Sequence, residues 1–297
     1  MTNRPDILCI GSVLWDIIGR SASHMRVGSD LPGRISRLPG GVAMNIAMTL
    51  RRFGLQPAIL TAIGKDEEGQ ELLRACQKMG MITDFAYISE DLPTDRYMAV
   101  EGANGLIAAI ADAHSLEAAG EKILSALKNG RLGSEEIPFS GSVALDGNLT
   151  TRLLEDIATS PLFSKADLRI APASPGKAER LLPFLNEGRG TLYVNLEEAG
   201  YLCQKNFDNS ENAAMALVKR GTQRALVTDG GKSASDATSE NVITQSPPEV
   251  LVTRVTGAGD TFMAAHIVAE FRHKSREDAL HDALQAAATY VSGETSL

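Results

Sequence analysis

From residue 143 onward, short apolar runs alternate with stretches of helical spacing, and this alternation constrains the fold more than any other feature. Residues 143–146, 168–171, 191–195 and 224–228 have the length of buried strands. Helical patterns occupy 150–159, 175–186, 197–203, 212–219, 259–271 and 276–291. Strands that read as near-continuous apolar runs between helices belong to a parallel sheet covered on both faces. The first part of the chain starts the same way, with a strand at 7–10 before Gly11 and a helix at 42–53 that stops at Gly54. A strand at 58–63 and a helix at 67–79 ending at Gly80 follow. Two interludes, about 15–39 and 84–112, instead show short, partly alternating segments broken by Gly and Pro. Within the second, Gly102-Ala103-Asn104-Gly105 is a hairpin turn signal. We expect one α/β domain over 1–297, with the two interludes forming a small β-sheet lid.

Composition narrows the function. With 297 residues and a net charge of −8, the chain lacks the basic excess that phosphate-neutralising nucleic-acid binders show. A small-molecule substrate is expected instead, and no nucleic acid. Cys9, Cys76 and Cys203 are odd in number and lack CxxC spacing, which argues against disulfides and zinc. No apolar run approaches a membrane span, and Met1 to Asp6 shows no signal-peptide pattern, so a cytoplasmic location without membrane contact is expected.

Five stretches can carry chemistry. The strongest is Thr256-Gly257-Ala258-Gly259-Asp260 before an apolar helix. Small residues admit a ligand close to the backbone, and the helix start offers free N–H groups to an anion. A carboxylate there repels phosphate unless it faces a hydroxyl, whose proton it can then accept. Asp260 as a plain helix cap is the competing reading. Gly40-Gly41, with Asn45 one turn into the next helix, forms a second strand-to-helix junction open to a ligand. Asp16, after the first strand, can chelate sugar hydroxyls or simply sit in a turn. Asn195 and Glu198, three apart at a helix start, can orient metal-bound water and phosphate, or form a capping box. Thr228-Asp229-Gly230 ends a strand in a flexible turn. The Walker A pattern, the protein-kinase signature set and GxGxxG after the first strand are all lacking, and the five histidines show no ligand clustering.

In this order, Gly40-Gly41-Val42-Ala43-Met44-Asn45 and Thr256-Gly257-Ala258-Gly259-Asp260 resemble the two signatures of the ribokinase-like (PfkB) family of carbohydrate and nucleoside kinases, over nearly the whole chain. The resemblance implies a ribokinase-like α/β fold with a small lid, ATP with Mg2+, and phosphorylation of a primary hydroxyl. It implies Asp260 as the catalytic base, with the N–H groups of Gly257, Ala258 and Gly259 as an anion hole. It places Asp16, Gly40, Gly41 and Asn45 on sugar hydroxyls. Asn195, Thr228, Asp229, Gly230 and Thr256 fall to the nucleotide, and Glu198 to Mg2+ through water. Lids of this family often pair, so a homodimer through the lid is expected.

Within the family, Leu31 to Ile35, Val255, Ala109-Ile110-Ala111-Asp112 and Asp146-Gly147-Asn148-Leu149 are similar to the pseudouridine kinase branch. That likeness implies the 5′-hydroxyl of pseudouridine as the acceptor. Asp146, Asn148 and the lid residues Thr94 and Asp112 are then further substrate-binding candidates, with Asp112 reading the base. The alternatives are a kinase of another sugar or nucleoside (ribose, adenosine or a hexose derivative) and a non-catalytic nucleoside-binding homologue. Arg254 stands where relatives commonly carry Asp or Asn beside a monovalent-cation loop, so potassium activation is not carried over. Val194, Ser233-Ala234 and Ala171-Pro172-Ala173 also depart from the family pattern, all on the nucleotide half.

Overall fold

The computed structural model describes residues 4–293. The chain runs β1 (Ile7–Ile10), β2 (Leu14–Arg20), β3 (Arg34–Gly40), α1 (Val42–Arg52), β4 (Pro57–Leu60), β5 (Ala62–Gly64), α2 (Glu67–Lys78), β6 (Tyr87–Ser89), β7 (Arg96–Gly102) and β8 (Gly105–Asp112). Then come α3 (His114–Ala119), α4 (Ser125–Lys128), β9 (Ser142–Asp146), α5 (Thr151–Thr159), β10 (Asp167–Ala171), α6 (Leu182–Asn186), β11 (Thr191–Asn195), α7 (Leu196–Cys203) and α8 (Ser210–Arg220). β12 (Arg224–Thr228), β13 (Ala234–Thr238), β14 (Val242–Gln245), α9 (Ala258–Phe271) and α10 (Arg276–Ser292) complete it.

Eight strands form the main sheet in the order β14-β13-β12-β11-β10-β9-β1-β4. From β12 to β4 every pairing is parallel, as the apolar runs require, whereas β13 pairs antiparallel with β12 and with β14. Alternate side chains of one strand enter opposite layers. Ile7 and Cys9 join the core under α1, α9 and α10, and Leu8 and Ile10 join the core under α5, α7 and α8.

The lid is a separate four-stranded sheet, β3-β2-β7-β8. Register puts Asp16, Leu38, Tyr97 and Ala111 in one row, and Trp15, Pro39, Arg96 and Asp112 in the next. Because side chains alternate, these two rows point to opposite faces. The Asp16 face turns toward the start of α9, where the Asp16 charge is felt by Asp260. The other packs at its base on α2, where the Trp15 indole N–H donates to the Glu68 carbonyl (3.0 Å) and Arg96 pairs with the Glu68 carboxylate (2.9 Å). Farther out that face leaves Ile35, Met98 and Ile110 exposed.

The structure corrects the expected boundaries in four places. The strand expected at 58–63 breaks into β4, inside the main sheet, and β5, which pairs with β6 outside it. Residues 84–95 therefore do not belong to the lid. Residues 175–186 are a 3-10 turn followed by the short α6, since Pro183 falls inside the expected helix and removes a backbone donor there. The strands β13 and β14 and the helical stretch beginning at His114 were not expected.

Candidate active site

The site forms where two glycine-opened helices meet over the carboxyl ends of the parallel strands. α9 starts at Gly257, whose φ of +87° lies in the left-handed region, and no side chain caps it. Asp260 sits inside the first turn, so the capping alternative is excluded. Its carboxylate instead accepts a hydrogen bond from the Asn45 side-chain amide on α1 (2.9 Å). α1 in turn opens at Gly41, with φ +97°. A Cβ at Gly41 would lie 2.5 Å from the Ser12 carbonyl, and one at Gly40 would lie 2.0 Å from an Asp16 carboxylate oxygen. The glycine pair thus lets α1 approach the β1–β2 connection and brings Asp16, Asn45 and Asp260 to one cleft.

This cleft concentrates negative charge. Burial pushes the Asp260 carboxyl up to about 7, and Asp146, Glu198 and Asp16 add repulsion; the part of the side chain that still meets solvent limits that shift. Burial likewise raises Asp16 to about 6 and Glu198 to about 7. Such values suit a proton acceptor working near neutrality. Two of the expected anion-hole donors, the N–H groups of Gly257 and Gly259, have no partner among the described residues. The Ala258 N–H already donates to the Val255 carbonyl (3.0 Å), so the three donors expected there reduce to two in this state.

Ser12, which the motif reading passed over, joins the acceptor side together. Its backbone N–H (2.8 Å) and its hydroxyl both donate to one oxygen of Asp146. The hydroxyl accepts from the Val42 N–H (3.0 Å) and the Asn148 amide (3.2 Å). Asp146 is fully buried and its second oxygen takes the Asn148 N–H (2.7 Å). It is therefore an anchor for Ser12, not the ligand-facing carboxylate expected. Asn148 is better placed, with its amide oxygen accepting from the half-buried Lys177 (2.6 Å), a cation that no motif singled out.

Asn195 and Thr228 stand side by side in the register of β11 and β12. Asn195 caps α7 through the Glu198 N–H (2.9 Å), and Glu198 accepts the Asn195 N–H (2.8 Å). The capping box is real, and it fixes both residues at the strand ends. Asp229 pairs with Lys232 (3.2 Å), and Gly230 takes the left-handed φ of +57°. A cavity of about 780 Å3 opens between Glu197 and Asp229, and Asp260 does not line it. Thr256 turns its carbonyl to the Tyr290 hydroxyl (2.8 Å).

The lid candidates are corrected. The Thr94 hydroxyl donates to Asp66 (2.6 Å) and accepts from the Gly64 N–H (3.2 Å), which secures the start of α2. Asp112 lies on the lid face opposite Asp16 and pairs with His114 (2.8 Å). Among the polar lid residues on the Asp16 face, Tyr97 is the one in register with Asp16, and its hydroxyl is pushed up by burial and by the Asp16 charge. The parity of β7 relative to Asp16 carried that signal, but only once β2 and β7 were known to pair.

Known proteins resemble the chain over most of its length. A pseudouridine kinase from Escherichia coli is 28% identical over 274 residues, covering 89% of this chain and 83% of that protein. A ribokinase from Bacillus subtilis is 26% identical, covering 96% and 92%. A guanosine-inosine kinase from Exiguobacterium acetylicum is 27% identical, covering 96% and 94%. Among solved structures, a carbohydrate kinase from Agrobacterium tumefaciens superposes with a TM-score of 0.81 at 24% identity, over 99% of this chain and 94% of that one. The ribokinase of Thermotoga maritima gives 0.78 at 22%, over 97% and 93%. These structural likenesses speak for the fold. The sequence model of the pfkB family carbohydrate kinases matches residues 4–296, a span that holds both glycine-opened helices and the carboxylate between them. The chain therefore belongs to the pfkB carbohydrate kinase family, phosphotransferases that act on hydroxyl groups.

Proposed function

We propose that the protein phosphorylates the 5′-hydroxyl of pseudouridine with ATP, Asp260 serving as general base. The observation that carries the proposal is the Asn45–Asp260 contact, which puts a carboxylate of raised pKa beside Asp16, with two open N–H groups on either side of Ala258 at the same helix start. In this reading Asp16, Gly41 and Asn45 hold the ribose, and Asp260 takes the hydroxyl proton as the oxygen attacks. The Gly257 and Gly259 N–H groups receive the negative oxygens of the transferring group. Asn195, Thr228, Asp229 and Gly230 line the donor side, across β10 from the acceptor side. Glu198, its carboxylate fixed by the Asn195 N–H at the end of β11, is the residue that would hold Mg2+ through water. Bound there, the ion would screen the phosphate charge.

Pseudouridine differs from uridine by a carbon glycosidic link and an extra ring N–H. A buried acceptor facing that N–H rejects uridine, because uridine would leave the acceptor unpaired. Tyr97 takes the place of Asp112 as the lid group for this role. Pseudouridine is expected to exceed uridine in kcat/KM by well over about tenfold. Tyr97→Phe narrows that gap, and Asp112→Ala leaves it unchanged. Equal rates on the two nucleosides, or faster turnover of ribose or adenosine, would reject the substrate while leaving the kinase reading intact.

Potassium dependence is expected to be weak or absent. The Arg254 Nε donates to the Tyr290 carbonyl (2.8 Å), and its guanidinium lies 3.9 Å from the Tyr290 ring. A fixed cation already neutralises the carboxyl end of α10. Rates in potassium, sodium and caesium chloride at equal ionic strength decide this; strong activation confined to potassium would contradict it.

A further inference from the structure

The chain between β14 and α9 has no regular structure, and residues 250–256 are all exposed. A segment of this kind loses substantial conformational entropy when held in one shape. Its end must nevertheless be held, because it leads directly into Gly257 and the open N–H groups. The structure fastens it to one place, the last turn of α10. The Thr253 N–H (2.8 Å) and hydroxyl (3.1 Å) donate to the Val291 carbonyl, and the Arg254 N–H joins them (3.3 Å). The Arg254 side chain takes the Tyr290 carbonyl and covers the Tyr290 ring, and the Tyr290 hydroxyl donates to the Thr256 carbonyl. The phenol also lies against Gly257, where a Cβ would come within 2.6 Å of its oxygen. Residues 253, 254, 256 and 257 are thus all gripped by residues 290–291. The grip is complementary in charge, since a guanidinium meets the carbonyl end of a seventeen-residue helix.

We propose that Tyr290 and Arg254 are positioning residues for the transfer step: they clasp the loop so that the Gly257 and Gly259 N–H groups and Asp260 keep their mutual geometry. This rests on the phosphotransfer reading above. Neither residue touches the acceptor in this account, since Asp16 and Asn45 hold it from the lid and α1.

Tyr290→Phe is the discriminating variant, because it deletes one hydrogen bond and keeps the ring on which Arg254 lies. Its kcat falls by about tenfold or more, the scale of a small misplacement near reacting atoms. The acceptor KM stays within about twofold, the split expected for an interaction that matters in the transition state. The melting temperature moves by no more than about 2 °C, as befits one exposed hydrogen bond. Arg254→Met gives the same split, and Arg254→Lys does not restore the rate, because an ammonium lacks the planar donor that fits carbonyl and ring together. An unchanged kcat in Tyr290→Phe, with an active wild type, overturns the assignment. So does a loss in which KM and melting temperature move together with kcat. A wild-type protein that turns over no acceptor overturns the phosphotransfer reading itself and this assignment with it.

Discussion

Asp260→Asn lowers kcat by about a hundredfold or more, the usual scale for a lost general base, while the acceptor still binds. The substitution preserves shape, and the side-chain oxygen of the new amide can still accept from the Asn45 amide. It cannot accept the hydroxyl proton. The wild-type profile carries the same signature. With Asp260 raised to about 7, the carboxylate form is lost as pH falls through that value, so the rate declines on the acid side and holds above it. Steady-state kinetics with ATP, and calorimetric titration of the acceptor into the variant, separate chemistry from binding. Near-normal turnover in Asp260→Asn removes the residue from the mechanism.

Gly41→Ala has the next largest expected effect, on stability and acceptor binding together. Gly41 holds φ +97° with ψ 151°, a region open essentially to glycine alone, and a side-chain-bearing residue there costs about 1–3 kcal/mol. The added Cβ would also press on the Ser12 backbone, with the carbonyl oxygen at 2.5 Å and the carbonyl carbon at 2.8 Å. Backbone cannot swing aside as a flexible side chain can. Relief requires moving Ser12 and α1 apart, which breaks the Val42 N–H bond to Ser12 and displaces Asn45. A loss of about 2 kcal/mol or more follows, with a rise of about tenfold in acceptor KM. Thermal denaturation and acceptor titration check this; an unchanged melting temperature and KM would contradict the packing of the glycine pair.

Much of this architecture was legible because the parallel strands and their helices speak locally. β9 to β12 are apolar runs bounded by helix starts, and Asn195 and Thr150 announce α7 and α5 as caps. The strands that were missed speak against their own environment. β13 reads Ala-Ser-Asp-Ala-Thr, poor in strand-forming residues, and buries Asp236 completely. Arg224 from the neighbouring strand and Arg276 from α10 pair with that carboxylate (2.6 and 3.0 Å), partners distant in sequence. Such long-range compensation leaves no local trace. The split of 58–63 into β4 and β5 has the same origin, since β5 pairs with β6, some twenty-five residues away.

The site divides in the same manner. Asp260, Gly41 and Asn45 were found because positive φ and helix starts leave Gly-rich signatures. Asp112 was misplaced because which lid face a residue occupies depends on strand pairing, and a shift of one residue reverses it; Thr94 was misplaced because it stands before β7, outside the lid, and is bound to Asp66 at the start of α2. Asp146 was given the wrong part for a related reason. A carboxylate at a strand end looks free until Ser12 is seen to fill one of its oxygens. Ser12, Tyr97 and Lys177 carry no motif and became visible only through their contacts.

The central claim is that this chain transfers a phosphoryl group from ATP to a nucleoside hydroxyl, and acceptor-dependent ADP formation measures it most directly. Purified protein, ATP and Mg2+ are incubated with pseudouridine, uridine, adenosine, ribose or no acceptor, and ADP is followed alongside the phosphorus spectrum of the product. The account predicts ADP release that depends on pseudouridine and matches, mole for mole, a new phosphomonoester on its 5′-oxygen. Pseudouridine that binds the protein but prompts no ADP release, with every other acceptor equally inert, would contradict it and leave a nucleoside-binding protein in its place.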